Sequence, residues 1–137
     1  MTPPAADPAF APRPAAEIAC LRERLTLPEA YVLYVGINKP HKNLPHLVEA
    51  LSQVALALPD VTLVLAGRSD PRYPEAETRI REAGLTERVR LLSDVAEADL
   101  PALYSGAAVF AFPSLYEGFG FPVLEAMACG APVVASR

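Results

Sequence analysis

Two glutamates separated by a glycine-bearing stretch carry the most chemical information in this sequence. Glu117 and Glu125 enclose Gly118-Phe119-Gly120-Phe121-Pro122-Val123-Leu124. A glycine-bearing loop that opens a helix presents unpaired backbone N–H groups and the positive end of the helix dipole. Both favour phosphate or another anion. Glu117, ahead of the helix, is placed to accept hydrogen bonds from hydroxyls beside such an anion. Glu125 falls among apolar helix residues, where a carboxylate needs a partner. The same spacing also fits an exposed glutamate on a helix flank, with glycines that only shape a turn, so pattern alone leaves both readings open. Lys39 and Lys42, in the loop opened by Gly36, are cations of the kind a diphosphate needs. Gly67-Arg68 and Ser93-Asp94-Val95 close two further apolar runs. His41 and His46 lack nearby cysteines, which argues against a metal site. Cys20 and Cys129 form no CxxC pair and read as reduced thiols of a cytoplasmic protein.

The elements that must position these groups follow from periodicity. Apolar runs without alternation at Tyr31–Val35, Thr62–Ala66, Val89–Leu92, Val109–Phe112 and Pro132–Ala135 predict strands covered on both faces. Helical patterns separate them. Ala15–Leu25 is a short amphipathic helix. Asn43 is a suitable N-cap for a stripe of Leu44, Leu47, Val48, Leu51, Ala55 and Leu58. Glu75–Ala83, Leu100–Ser105 and Phe121–Cys129 complete the set, with Pro122 in a first turn and Gly130 at a left-handed C′ position. Alternating strands and helices predict a doubly wound parallel α/β sheet with strand order 3-2-1-4-5. The ligand crevice of such a sheet lies at the carboxyl ends of strands one and four. Lys39, Lys42 and the glycine loop meet there.

At 137 residues the chain has room for one domain, and its 52% hydrophobic content can build a core. A net charge of −4 gives no reason to expect nucleic acid as a partner. No apolar run reaches the roughly 20 residues of a transmembrane segment, and the N-terminus lacks the pattern of a signal peptide. Residues 1–14 hold five prolines, which predicts an extended, poorly ordered leader.

The stretch EGFGFPVLEAMACGAPVVAS resembles the donor-site signature of retaining glycosyltransferases of the GT-B fold, the large group that includes many bacterial mannosyl- and glucosyltransferases. The likeness extends back to about Ala6. It implies a Rossmann-like domain over 15–137, the C-terminal half of a GT-B fold, truncated at its C-terminus, with 1–14 as a remnant of the interdomain linker. It also implies that the N-terminal acceptor domain is missing. The implied ligand is a nucleoside-diphosphate hexose of the GDP-mannose or UDP/GDP-glucose type, used for retaining transfer to an acceptor hydroxyl without a metal or other cofactor.

By this resemblance Lys42 holds the diphosphate and Glu117 contacts the sugar, with no role as a nucleophile. Gly118, Phe119 and Gly120 offer backbone N–H groups, Glu125 binds the ribose, Gly36 and Gly67 let backbone approach the ligand, and Val95 gives the base an apolar contact. Three positions depart from the pattern. Phe121 stands where leucine is more usual, Ile37-Asn38 where many relatives have an arginine that Lys39 would replace, and Ser93 where glycine is common. The chain alone is expected to bind donor without turnover and to self-associate through uncovered apolar surface. The alternatives are a non-catalytic nucleotide-sugar-binding module and an unrelated doubly wound regulatory domain. The latter calls for a phosphorylatable aspartate at the end of an early strand, and strand one ends in Gly36.

Overall fold

The computed structural model describes residues 5–117 and 120–136. Branched and aromatic residues form β1 (Tyr31–Val35), β2 (Thr62–Ala66), β3 (Val89–Leu92), β4 (Val109–Phe112) and β5 (Val133–Ala135). All pairs are parallel, in the order β3-β2-β1-β4-β5. Tyr31 sits opposite Thr62 and Val35 opposite Ala66, so β1 and β2 end together. The doubly wound sheet inferred from periodicity is the sheet observed. Pro132 stays outside β5 but serves it, because its carbonyl accepts the Phe110 N–H at 2.7 Å.

Alternate strand residues feed two cores. On one face Tyr31, Leu33, Val64, Phe110 and Phe112 pack with α1 (Ala15–Leu25), α4 (Leu100–Gly106) and α5 (Phe121–Ala128). On the other, Tyr34, Leu63, Leu65 and Val89 pack with α2 (Leu44–Ala57) and α3 (Glu75–Glu82). Each fully buried Leu or Phe contributes about 1.5–3 kcal/mol relative to exposure. The buried Tyr31 hydroxyl donates to the Leu103 carbonyl at 2.7 Å and ties β1 to α4. Burial pushes that phenol up to about 12, so it stays a donor at neutral pH.

The α2–α3 face is covered only in part. Between the end of α2 and the start of β4 a groove of about 520 Å³ is lined by Val32, Val54, Leu58, Pro59, Val61 and Val109. Leu58 and Val134 are exposed. The Leu58 end of the predicted α2 stripe therefore faces the groove rather than the core.

Two local expectations change. Residues 5–14 of the leader are anchored: the Phe10 ring meets Tyr104 edge-on at 6.0 Å, and the Arg13 N–H donates to Ser105 Oγ at 3.1 Å, while residues 1–4 lie outside the described residues. Prolines stiffen residues 5–14, and one aromatic side chain suffices to pin them to α4. Asn43 does not cap α2 with its side chain. It adopts the left-handed conformation, φ 58°, closing a 3-10 turn over Pro40–Lys42. Asparagine tolerates that conformation better than most residues. Gly130 takes the expected left-handed position after α5, with φ 79°.

Candidate functional site

The loops after β1 and β4 meet above the sheet. The Leu115 N–H donates to the His41 carbonyl at 2.8 Å, which holds the Pro40–Lys42 turn against the segment after β4. Lys42 Nζ donates to Glu117 Oε1, and Ser114 Oγ donates to the same oxygen at 3.0 Å. His41 Nε2 lies 3.8 Å from it. The Lys42 ammonium also stands 5.7 Å from the Phe112 ring centroid, and His41 stacks on Tyr116 at 5.0 Å. With side chains 16% and 23% exposed, the Lys42–Glu117 pair is screened less than a fully solvated one. Burial raises the Glu117 carboxyl, but hydrogen bonds from Lys42 and Ser114, with the nearby Lys42 and His41 charges, bring it net below its usual range. Lys42 and Glu117, assigned separately to diphosphate and sugar, are thus one hydrogen-bonded cluster.

Glu125 lies on α5, half-buried, and accepts a hydrogen bond at Oε2 from the Tyr104 hydroxyl at 2.9 Å. Desolvation raises its carboxyl most, and the Glu97 charge adds to this. The Tyr104 bond opposes them without cancelling the rise. The partner that a carboxylate in an apolar helix requires is therefore Tyr104. Each residue alone signals a need, since a tyrosine in an apolar helix also needs a partner for its hydroxyl, but neither signals that the two meet. Gly120 stands at the N-cap of α5 with φ 61°, and its carbonyl accepts the Val123 N–H at 3.0 Å. Gly118 and Phe119 lie outside the described residues.

Gly36 and Gly67 end β1 and β2 with φ 148° and 141°. A Cβ on Gly67 would stand 2.2 Å from the Gly36 carbonyl oxygen, so what approaches Gly67 most closely is protein backbone. Beside them, a cavity of about 240 Å³ is lined by Asn38, Arg68, Glu77 and Ser93. Asn38 staples the loops after β1 and β2: its amide donates to the Asp70 and Tyr73 carbonyls at 3.1 and 2.7 Å, and its oxygen accepts the Asp70 N–H. At the position where an arginine was missed, the chain has a structural amide. Lys39 is exposed on the same loop. Val95 is half-buried against the α4 side of the core.

A family model described as "Glycosyl transferases group 1" matches residues 21–137. The O-antigen chain mannosyltransferase B of Escherichia coli is 37% identical over 134 residues, which is 93% of this chain and 34% of that protein. The D-inositol 3-phosphate glycosyltransferase of Salinispora tropica is 40% identical over 94% of this chain and 29% of its own length. Among solved structures, Anabaena Alr3699/HepE in complex with UDP-glucose superposes with a TM-score of 0.82 at 31% identity, covering 96% of this chain and 36% of that one. The chain thus spans about a third of the length of these relatives. On the sheet, the sequence identity and the family match together, the chain belongs to the glycosyl transferases group 1 family.

Proposed function

We propose that this chain is the donor-binding half of a retaining hexosyltransferase. It holds a nucleoside-diphosphate hexose, of the GDP-mannose or UDP/GDP-glucose type, over the carboxyl ends of β1 and β4. The observation that carries this reading is the convergence of Lys42, Ser114 and His41 on a single anionic oxygen, Glu117 Oε1, in that crevice. Donors already aimed at one negative charge suit a phosphate oxygen equally well. Relatives named as mannosyltransferases and a neighbour carrying UDP-glucose support the ligand class.

In this reading Lys42 and the N-terminus of α5 stabilise the charge that develops on the leaving diphosphate, without a metal. Gly118, Phe119 and Gly120 supply backbone donors. Gly36 and Gly67 keep the crevice floor low, Val95 lies under the base, Glu125 takes the ribose and Glu117 turns to the sugar. The role assigned to these residues is donor binding. The free thiols Cys20 and Cys129 suit a cytoplasmic setting.

The test is thermal unfolding with UDP, GDP, UDP-glucose and GDP-mannose, each with and without EDTA. A ligand at 100 times its Kd should add about 2.7 kcal/mol of stability, unaltered by the chelator. No stabilisation by any of the four would refute donor binding. The groove bordered by Val54, Leu58 and Val109 gives a separate expectation, concentration-dependent self-association in light scattering. Replacing Leu58 with glutamate should weaken it, and a monomer at every concentration would contradict it.

A further inference from the structure

Tyr104 is fully buried, yet it carries a hydroxyl that must be satisfied inside the protein. Its ring is held by Phe110 at 5.4 Å and by Phe10 of the leader at 6.0 Å, both edge-on. That clamp sets the direction of the O–H, which ends on Glu125 Oε2 at 2.9 Å. That bond uses one of the roughly four acceptor sites of the carboxylate, so the group keeps capacity, Oε1 included, for an incoming hydroxyl. We propose that Tyr104 is a positioning residue for Glu125, fixing the rotamer of the carboxylate so that its second oxygen receives the ribose of a nucleoside diphosphate. The proposal rests on the reading of Glu125 as the ribose contact.

Charge state gives the proposal a measurable consequence. The titratable groups that act on Glu125 are Tyr104 on α4 and Glu97 ahead of α4, and Glu125 in turn helps raise the Cys129 thiol at the end of α5. Burial and Glu97 favour the protonated carboxyl. Tyr104 is the group that opposes them. A protonated carboxyl is a poorer acceptor for a hydroxyl, so ribose affinity should be retained above the Glu125 pKa and lost as pH falls through it.

Tyr104→Phe keeps the ring and its packing and removes only the hydroxyl. Side-chain carboxyl NMR of the unliganded chain should show Glu125 titrating at higher pH in Tyr104→Phe than in the wild type. Calorimetry at neutral pH should show UDP or GDP affinity falling about tenfold. Inorganic pyrophosphate, which has no ribose, should bind equally to both proteins. The acid limb of UDP or GDP binding should begin at higher pH in the variant. In a Glu125→Gln background, Tyr104→Phe should produce no further loss, because the carboxylate through which it acts is gone. An unchanged Glu125 titration in Tyr104→Phe would overturn the positioning role. A raised titration with equal effects on UDP, GDP and pyrophosphate would support the hold of Tyr104 on Glu125. It would overturn, instead, the reading of Glu125 as the ribose contact.

Discussion

Replacing Gly67 with alanine should destabilise the protein by about 4 kcal/mol, the sum of backbone strain and overpacking. The residue sits at φ 141°, a region that L side chains rarely enter. Its Cβ would stand 2.2 Å from the Gly36 carbonyl oxygen and 2.8 Å from the carbonyl carbon. Neither atom can move freely. Gly36 N–H donates to Ala66 O and Gly67 N–H to Leu92 O, both at 2.9 Å, so both glycines continue the ladder of the central strands. Relief of the clash would open the sheet at its carboxyl edge, under the candidate site. Gly84→Ala is the control. Gly84 also has positive φ, 68°, but among the described residues no atom lies within 4 Å of its Cβ position, so the ~1–2 kcal/mol cost of the left-handed conformation remains. Urea denaturation of the two variants should separate them clearly. If Gly67→Ala loses no more than Gly84→Ala, the Gly36 carbonyl yields at little cost and the close approach is not a constraint.

The strands were legible because β1, β2 and β4 are apolar on both faces, and that pattern has few other solutions in a short run. Their order was legible because alternating strands and helices leave few doubly wound topologies. Glu117, Lys42 and Glu125 stood out as charged groups flanking such elements. The groups that hold them did not. The pairing of Ser114 with Glu117 depends on the course of the chain beyond β4, and that of Tyr104 with Glu125 on how α4 packs beside α5. Asn38 reaches Asp70 and Tyr73 across 32 and 35 residues of sequence, a link no local pattern announces. Five prolines around Phe10 suggest an unanchored segment and mask its signal. Composition describes the average of such a stretch, whereas one aromatic ring with a pocket decides whether it docks.

Lys42→Ala should lower the affinity of UDP, GDP and pyrophosphate alike by about 10- to 100-fold, from loss of charge-assisted hydrogen bonds worth about 1.5–3 kcal/mol. The loss should be greater at low salt than at high salt. Glu117→Gln should act in the opposite direction on pyrophosphate. Glu117 Oε1 takes the donors of Lys42 and Ser114, so an arriving anion must displace a carboxylate already seated there. Removing its charge removes both the competitor and the repulsion, and pyrophosphate should bind more tightly. The extra affinity that a hexose adds to UDP or GDP should shrink in the same variant, because the group assigned to the sugar is altered. The Glu117 carboxyl titrates below its usual range in the folded state. Its pair with Lys42 therefore stabilises the fold above the unfolded carboxylate pKa, and that contribution disappears as pH falls through the lower, folded value. Acidification through that window should release Lys42 and favour pyrophosphate in the wild type, whereas Glu117→Gln should lack this limb. Calorimetry of wild type, Lys42→Ala and Glu117→Gln with pyrophosphate, across pH and salt, tests each step. If Glu117→Gln weakens pyrophosphate as much as Lys42→Ala does, Glu117 organises the anion site rather than occupying it.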